Sequence, residues 1–384
     1  MKTVLIIQYS SQYDGSAISG LLLADGFKLA GWKTVVAFAQ QGPMQSAYER
    51  NGHEVLTIFH RSWLRSTSIF RFTRNLITEI YRFNEFRRIF KRYSPHCVYL
   101  NTAVSFSAAF VAKFLNVPFI WHIRELFSDV GGEMEVPIQF RRGAQFILSN
   151  WASGIIVNSN AVAKNMLLPS YIDYKVVPNA IKEIYFNDCL SSVEARGLLD
   201  LNTEGYIIGV PGTLRPMKGH TYFIRAIAPL LRNSPNVRVI ISGEGDLEYA
   251  DCLKDLTKQL RVDKYITFLG QIDDMIGFYK ACDLIVIPSR AEPFGRVVIE
   301  SFACRVPIVA TSVGGIPEII RHRENGFLIQ YGDESALRDT VFEVMRKPEY
   351  LSDMVELAYQ DASRLYTVDQ YQKSIISYVS KVYA

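Results

Sequence analysis

The sequence predicts an α/β protein made of two domains, each built around a doubly wound parallel sheet. Short apolar runs alternate with segments whose apolar residues recur at helical spacing, which is typical of buried parallel strands joined by helices. The strand–loop–helix unit that opens such a domain occurs at two places. Apolar strands at residues 2–9 and 206–210 each lead through a glycine-containing loop into a helix. Finally, a chain of 384 residues exceeds one typical core and suits two domains of ordinary size.

The first domain is predicted to span residues 1–182 and to open with a β-α-β unit. Its predicted strands are residues 2–9, 33–38, 55–59, 97–101, 117–121, 154–158 and 175–177. Gly15 lies in the polar loop after the first of these strands, at the carboxyl edge of the sheet, where a glycine lets a ligand approach the backbone. An ordinary loop glycine is the alternative interpretation.

Residues 61–92 form a strongly basic segment. They hold nine basic residues against two acidic ones, a net charge of +7, whereas the whole chain carries +4. The spacing predicts one helix over residues 68–92, with most of its arginines and Phe86 and Phe90 off the apolar face. The residues of that predicted apolar face are Phe72, Leu76, Ile80 and Phe83. Such a helix either lies on an anionic membrane surface or covers the core with a solvated basic side. No nucleic-acid-binding motif accompanies it, so no nucleic acid partner is predicted.

The second domain is predicted to span residues 183–365, after a polar connecting stretch that begins near residue 183. Its predicted strands are residues 206–210, 236–242, 266–270, 284–287, 307–310 and 327–329. The chain is then helical, and residues 366–384 carry apolar side chains at the spacing of a helix that packs against a core.

A glycine-containing turn follows the first strand of the second domain. Gly212 and Gly219 flank Arg215 and Lys218 directly before a helix. Backbone N–H groups at a helix N-terminus, together with two cations, favour an anion such as a diphosphate. The pattern Gly-x4-Gly-Lys-Ser/Thr is absent, so the turn is not a P-loop. A solvated Lys218 at a helix start is the alternative interpretation.

A second loop of this domain carries two carboxylates. Glu292 precedes Pro293, which biases it toward an extended backbone, and Gly295 then opens a helix that contains Glu300. The free N–H groups of residues 295–297 favour an anion. One carboxylate can hold sugar hydroxyls near the loop, and the other can hold ribose hydroxyls beside the helix.

Three motifs in this domain resemble those of the retaining nucleotide-sugar glycosyltransferases of family 4. They are Glu-Pro-Phe-Gly-x4-Glu at residues 292–300, Val-Gly-Gly-Ile-Pro-Glu at 313–318 and Glu-Asn-Gly-Phe-Leu-Ile at 324–329. The resemblance implies the GT-B fold, in which two Rossmann-like domains face each other across a cleft. It also implies that the last helix, residues 366–384, crosses back to the first domain.

The resemblance implies site residues one by one. The implied donor-binding residues are Gly15, Gly212, Ile272, Phe294, Gly295, Arg296, Val297 and Glu300. Lys218 and Gly219 match the family motif Gly-Arg-Leu-x3-Lys-Gly, but Thr213 replaces its arginine, and Arg215 is expected to reach the same phosphates from another angle. His122 matches a histidine that ends a strand near the donor sugar, and a structural histidine that caps a backbone group is the alternative.

The implied reaction moves a sugar from a nucleoside diphosphate sugar to a hydroxyl of a glycan or lipid-linked glycan, with retained anomeric configuration, in cell-surface polysaccharide or glycolipid assembly. The implied catalytic residues are His122, Glu292, Lys218 and Arg215. Because no convincing Asp-x-Asp motif is present, neither a metal nor another cofactor is expected, and fixed positive charge neutralises the diphosphate. Two alternatives stay open, a nucleotide-sugar 2-epimerase on the same fold and a non-catalytic nucleotide-sugar-binding protein.

The expected location is the cytoplasm, either free or peripheral on the inner face of the cell membrane. Five scattered cysteines without zinc-ligand spacing suit reduced thiols. The first apolar run is too short for a signal peptide, and no run is long enough to span a bilayer.

Overall fold

The computed structural model describes residues 1–64, 68–127, 134–187, 189–201, 204–347 and 351–383. The chain separates into two compact units. The N-terminal unit consists of Met1–Ala180 and Val368–Ala384, and the C-terminal unit consists of Ile181–Thr367. The predicted boundaries at residues 183 and 366 lie close to these divisions.

The N-terminal unit contains a seven-stranded parallel sheet in the order β3-β2-β1-β4-β5-β6-β7. Its strands are β1 (Thr3–Gln8), β2 (Lys33–Phe38), β3 (Glu54–Thr57), β4 (Cys97–Leu100), β5 (Phe119–Ile123), β6 (Gly154–Val157) and β7 (Tyr174–Val176). Its helices are α1 (Gly15–Leu29), α2 (Met44–Arg50), α3 (Ile69–Tyr81), α4 (Phe83–Tyr93), α5 (Phe106–Phe114), α6 (Ile138–Asn150), α7 (Asn160–Asn165) and, at the end of the chain, α17 (Val368–Tyr383).

The C-terminal unit contains a six-stranded parallel sheet in the order β10-β9-β8-β11-β12-β13. Its strands are β8 (Tyr206–Pro211), β9 (Val237–Ser242), β10 (Ile266–Gly270), β11 (Leu284–Ile287), β12 (Ile308–Thr311) and β13 (Phe327–Ile329). Its helices are α8 (Ile184–Asn187), α9 (Ser192–Leu198), α10 (His220–Asn233), α11 (Leu247–Gln259), α12 (Met275–Ala281), α13 (Arg296–Ala303), α14 (Ile316–Ile319), α15 (Glu334–Arg346) and α16 (Leu351–Leu365).

Each sheet is covered on both faces, which explains why its strands are apolar throughout. In β1, Leu5 and Ile7 enter one core while Val4 and Ile6 enter the other. In β11, Leu284 and Ile285 likewise enter opposite cores. Because successive side chains of a strand alternate between faces, both faces need apolar residues. The predicted α/β class with two doubly wound parallel sheets is confirmed.

The last helix belongs to the N-terminal unit, although it follows the C-terminal unit in sequence. In α17 the Tyr371 hydroxyl donates to the backbone oxygen of Ser19, and the Gln372 side chain donates to that of Leu22, both in α1. Ile375 is fully buried in the same core. The apolar spacing of residues 366–384 therefore reflects packing against α1.

The basic segment differs from the prediction of one continuous helix. It forms two helices, α3 and α4, that meet at Arg82. Ile80, which was expected on the buried face, is 48% exposed, whereas Phe86 and Phe90 are buried. Because the helix is interrupted at Arg82, one continuous 3.6-residue period does not describe the whole segment. Arg65, also part of this segment, lies outside the described residues. Within the described ranges, no helix combines the length and apolar character needed to cross a bilayer.

Candidate functional site

Two loops follow neighbouring strands at the carboxyl edge of the C-terminal sheet. Strands β8 and β11 are adjacent, and the chain proceeds from β8 to β9 on one side and from β11 to β12 on the other. Open α/β sheets bind ligands at such a switch point. Residues 212–219 follow β8 and residues 288–295 follow β11, and both loops contain predicted site residues.

The two loops are joined through their backbones. The Arg290 N–H donates to the carbonyl oxygen of Met217 at 2.8 Å. Gly219 has a φ of 75°, and a Cβ at this position would lie 1.9 Å from the Pro288 carbonyl oxygen. A side chain at residue 219 would force the loops apart, so the glycine of this motif is needed for the approach.

Lys218 and Glu292 form an ion pair where these loops meet. The Lys218 Nζ donates to Glu292 Oε2 at 2.6 Å, and the two side chains are 21% and 10% exposed. The Ser289 hydroxyl lies 3.5 Å from the same carboxylate oxygen. Two residues predicted from separate motifs are thus in direct contact. A charged pair with little exposure is held more rigidly than a surface pair and presents both charges at a defined place.

The Val-Gly-Gly turn supports the backbone of Glu292. Gly315 donates its N–H to the Glu292 carbonyl oxygen at 2.9 Å. Gly314 has a φ of 53°, and a Cβ there would lie 1.9 Å from that same oxygen. The motif at residues 313–318 therefore positions the carboxylate-bearing loop from behind.

Helix α13 presents an open N-terminus beside the Glu292 loop. Its first residue follows Gly295, which has a φ of 104°, and within the described part of the chain no side chain caps the helix. The N–H groups of Gly295, Arg296 and Val297 are therefore available to an anion, and the helix dipole favours negative charge there. Phe294, predicted to bind the donor, is buried in the core, where its ring packs against Tyr366. The Phe294 side chain is thus part of the hydrophobic core.

Glu300, in α13, is buried and has two protein partners. The Tyr279 hydroxyl donates to Glu300 Oε2 at 2.8 Å, and the Arg296 Nε donates to Oε1 at 2.7 Å. Burial and the nearby carboxylate raise the pKa of Tyr279, so its phenol stays protonated and acts as a donor. The sequence pattern did not identify Tyr279, because a tyrosine inside an apolar helix looks like an ordinary core residue. Arg296 pairs with a carboxylate one helical turn away, a contact that its i,i+4 spacing signals.

Gly212 and Arg215 lie in the turn after β8. A Cβ on Gly243 would lie 2.2 Å from the Gly212 carbonyl oxygen, so the turns after β8 and β9 also pack backbone against backbone. Arg215 is half-buried and forms no ion pair with another described residue. Its proposed replacement of the arginine missing at Thr213 stays a prediction. Ile272, predicted to contact the base, follows β10 and is half-buried against the core.

Gly15 is the first residue of α1 and is exposed. The carboxylate of Asp14 caps this helix by accepting the N–H groups of Ser16 and Ala17, each at 2.9 Å. An anionic cap occupies the groups that a diphosphate would use. This geometry gives no support to a diphosphate contact at Gly15.

His122 lies inside β5, whose last residue is Ile123, and not after the strand as predicted. Its side chain is fully buried. The Arg124 guanidinium can only donate, so the contact from its Nη2 at 3.1 Å leaves His122 Nδ1 unprotonated, and the Tyr99 hydroxyl donates to the same nitrogen at 2.7 Å. Burial, reinforced by the charge of Arg124, holds the pKa of His122 well below its usual range. The contacts describe a neutral structural imidazole, while a role in catalysis remains untested.

Arg124 is the centre of a buried polar network at the carboxyl edge of the N-terminal sheet. Besides His122, its guanidinium donates to Asn101 Oδ1 at 3.2 Å, Asn179 Oδ1 at 2.5 Å and the Tyr371 hydroxyl at 2.5 Å. Asn179 lies just before the chain leaves this unit, and Tyr371 lies just after it returns. The sequence pattern gives no sign of this network, since Asn101, Asn179 and Tyr371 are distant from Arg124 along the chain.

We expect stability to decrease as the pH falls below the ordinary histidine range. Burial, with the charge of Lys218 second, lowers the pKa of His220 to about 4, and burial also holds the pKa of His122 well below its usual range. A histidine of the unfolded chain has a pKa of about 6.5. As the pH falls, the unfolded chain therefore binds protons at these positions before the folded protein does. The contribution of these two histidines to the free energy of unfolding is therefore complete above that pH. It is lost progressively as the pH falls toward their pKa values in the folded protein. Urea unfolding between about pH 7 and 5 measures the decrease, and His220→Gln should reduce its slope. A slope unchanged by this substitution would contradict the assignment.

Among the described residues, no group of three or more His, Cys, Asp or Glu side chains is placed to hold a metal ion. This finding concerns protein ligands alone. The expectation that the reaction needs no metal stays a prediction.

Comparison with known families assigns both halves of the chain. Residues 13–183 match the model for Glycosyltransferase Family 4, and residues 194–361 match the model for Glycosyl transferases group 1. An uncharacterised glycosyltransferase of Methanocaldococcus jannaschii is 33% identical over 208 residues, which are 53% of each chain. A D-inositol 3-phosphate glycosyltransferase of Corynebacterium urealyticum is 30% identical over 247 residues, 61% of this chain and 58% of the relative. The chain thus spans about half the length of these curated relatives.

Solved structures agree in fold over almost the whole chain. The Anabaena protein HepE in complex with UDP has a TM-score of 0.81 at 21% identity, covering 99% of this chain and 100% of that one. A sucrose-phosphate synthase from Thermosynechococcus elongatus has a TM-score of 0.82 at 18% identity, covering 100% and 99%. At these identities the likeness shows the fold, which is the GT-B fold with its two Rossmann-like sheets. The two family matches, at residues 13–183 and 194–361, show that the chain belongs to the family 4, group 1 glycosyltransferases.

Proposed function

We propose that this protein is a retaining glycosyltransferase that uses a nucleoside diphosphate sugar as donor. The observation that carries the proposal is the Lys218–Glu292 ion pair beside the uncapped N-terminus of α13, at the switch point of the C-terminal sheet. This arrangement offers fixed positive charge and backbone donors to a diphosphate, next to a carboxylate that can bind sugar hydroxyls. Solved structures of the fold neighbour HepE contain UDP and UDP-glucose, which supports a donor of this class.

In the proposed reaction, the bond between the sugar C1 and the diphosphate oxygen breaks as a bond from C1 to the acceptor oxygen forms on the same face. The departing diphosphate gains negative charge, which Lys218 and the N–H groups at residues 295–297 stabilise. The acceptor proton passes to the leaving phosphate oxygen. Glu292 orients the sugar through its hydroxyls and Glu300 orients the ribose. A glycosyl adduct trapped on Glu292 would instead establish a covalent intermediate.

The proposed acceptor is a glycan or a lipid-linked glycan, in the assembly of a cell-surface polysaccharide or glycolipid. The family relationship supports a hydroxyl acceptor, since curated relatives are named as glycosyltransferases acting on D-inositol 3-phosphate. A soluble sugar phosphate is therefore the acceptor to compare first. We also propose that the reaction proceeds without a metal cofactor, because Lys218 and the helix dipole supply positive charge at the leaving group.

The experiment that tests the function is donor turnover. The purified chain is incubated with uridine and guanosine diphosphate sugars, with and without chelator, and with glycan, lipid-linked glycan and sugar phosphate acceptors. We expect acceptor-dependent release of nucleoside diphosphate from one donor, unchanged by chelator, with the product anomer matching the donor. Epimerised donor formed without an acceptor would establish the epimerase instead. Tight binding of a donor without turnover would favour the non-catalytic alternative, and loss with chelator would refute the metal-free reaction.

A moderate rise in the donor KM is expected when Tyr279, a hydrogen-bond partner of Glu300, is replaced. Tyr279→Phe removes the hydroxyl that holds one carboxylate oxygen, while Arg296 continues to hold the other. One lost hydrogen bond of about 0.5–1.5 kcal/mol should raise the donor KM roughly 2–12-fold and leave kcat nearly unchanged. Tyr222→Phe is the matched control, because its hydroxyl bonds to the Asp333 backbone. Equal kinetic changes in both variants would exclude a positioning role for Tyr279.

A further inference from the structure

Helix α3 packs against the rest of its unit through a partly polar face, and its opposite, apolar face is exposed to solvent. Its buried residues are Phe72, Asn75 and Glu79. Phe70, Ile77 and Tyr81 are 74%, 53% and 81% exposed. At about 100° per residue these three lie within a stripe of roughly 40°, on the side opposite the buried residues. We call Phe70, Ile77 and Tyr81 the outer stripe.

The orientation of α3 is fixed by the buried carboxylate of Glu79. One of its oxygens accepts the Arg61 N–H at 2.7 Å, and the other accepts the Ser107 N–H at 3.2 Å and the Ser107 hydroxyl. These contacts connect α3 to the chain before it and to the first turn of α5. Turning the helix to bury the outer stripe would break them and leave a charged group unsatisfied. The exposure of the outer stripe is therefore built into the fold.

Exposed cations lie in the same helix as the outer stripe and in the helix that follows it. Arg71 and Arg74 lie in α3, and Arg87, Arg88 and Lys91 lie in the adjacent α4. All five are exposed, and none forms an ion pair with another residue of the described ranges. By contrast, Arg82 at the junction pairs with Glu85. The surface thus combines exposed apolar side chains with uncompensated positive charge.

A cavity beside α4 has the same mixed character. It has a volume of about 450 Å³, and Arg87 and Lys91 line it together with Phe90, Leu115 and Val117. Cations next to apolar side chains suit an amphiphile that carries a negative head group.

We propose that the outer stripe and the cations of α3 and α4 form a surface that binds the interface of an anionic lipid bilayer. The apolar and aromatic side chains enter the boundary between head groups and acyl chains, and the arginines and Lys91 contact anionic head groups. The charge complementarity selects an anionic membrane over a neutral one. This surface adds a membrane partner to the proposed glycosyl transfer, but lipid binding does not depend on the transfer reaction.

The test is sedimentation of the full-length chain with vesicles of phosphatidylcholine alone and of equal parts phosphatidylcholine and phosphatidylglycerol. We expect binding to the anionic vesicles that weakens as salt increases. Arg88→Glu with Lys91→Glu should weaken this binding roughly 30-fold or more, since each lost cation accounts for about fivefold. Replacing the three residues of the outer stripe by serine should abolish binding to the anionic vesicles at the same protein concentration. Leu29→Ser is the matched control, because Leu29 is an 81% exposed leucine in α1, and it should bind like the wild type.

Three results would overturn the proposal. In the first, the wild type does not bind anionic vesicles at low salt. In the second, the serine variant binds as strongly as the wild type. In the third, the wild type is a dimer in solution and the serine variant is a monomer. The last would make this surface a contact between copies of the chain. Circular dichroism and thermal unfolding establish that each variant is folded. Donor hydrolysis or transfer to a soluble acceptor is measured in parallel, so failure of the lipid proposal is distinguishable from failure of the glycosyltransferase proposal.

Discussion

Lys218→Ala is expected to reduce kcat for sugar transfer by about 10²–10³-fold, the loss typical of one fixed donor to a developing anion. In the structure, the Lys218 Nζ lies 2.6 Å from Glu292 and at the switch point of the sheet. Its removal takes away a positive charge and also leaves the Glu292 carboxylate unpaired near the proposed diphosphate position. Repulsion between these anions should raise the donor KM as well.

The companion substitution separates a chemical role from a structural one. Glu292→Gln breaks the same ion pair but keeps a polar side chain of similar shape, so it should lower kcat while the donor KM changes little. If the pair served stability alone, both variants would show similar kinetics and similar losses in unfolding temperature. Lys254→Ala provides the control, since Lys254 is an exposed lysine of α11 that pairs with Asp251. A Lys218→Ala enzyme within about threefold of the wild type would contradict the role of Lys218 in leaving-group stabilisation.

The strand–helix alternation and the division of the chain were accessible from the sequence because they depend on local pattern. Runs such as Leu284–Ile287 are apolar on both faces, and that requirement follows directly from a sheet covered on both sides. The contact between Lys218 and Glu292 became evident only from the strand order of the structure. Residues that follow two strands of one sheet meet when those strands are neighbours, as β8 and β11 are.

The failures occurred where side-chain direction depends on tertiary contacts. A shift of two residues in the predicted end of β5 placed His122 after the strand, although it lies inside the strand with no exposed side chain. The prediction over residues 68–92 missed the break at Arg82 and placed Ile80 on the buried face, although Phe72 is buried as expected. A buried Glu79 fixes α3 through contacts with distant residues. The ring of Phe294 fills the core, which was not expected, and a contact between this residue and the donor stays a prediction. The spacing of apolar residues along the sequence indicates none of these side-chain positions.

Arg124→Met is expected to destabilise the N-terminal unit by about 3 kcal/mol or more, because each buried acceptor left without its donor costs about 1–3 kcal/mol. Methionine fills similar space but donates nothing, so Asn101, Asn179 and the Tyr371 hydroxyl each lose a donor inside the protein. Tyr371→Phe removes one of these contacts together with the hydrogen bond to the Ser19 backbone, and it should cost about 1–3 kcal/mol. Urea unfolding followed by a probe in the N-terminal unit measures both losses.

The Arg124 network also makes a prediction about coupling. Asn179 and Tyr371 belong to the two segments by which the chain leaves and re-enters the N-terminal unit, and the same guanidinium holds both. The losses from Arg124→Met and Tyr371→Phe should therefore not add in the double variant, because both changes remove the same hydrogen bond. Additive losses would show that Arg124 and Tyr371 act independently. With the positive charge gone, the pKa of His122 should rise toward its ordinary value while remaining lowered by burial, and NMR titration of the His122 ring measures that change. A His122 titration unchanged by Arg124→Met would mean that the guanidinium is not the neighbour that keeps this imidazole neutral.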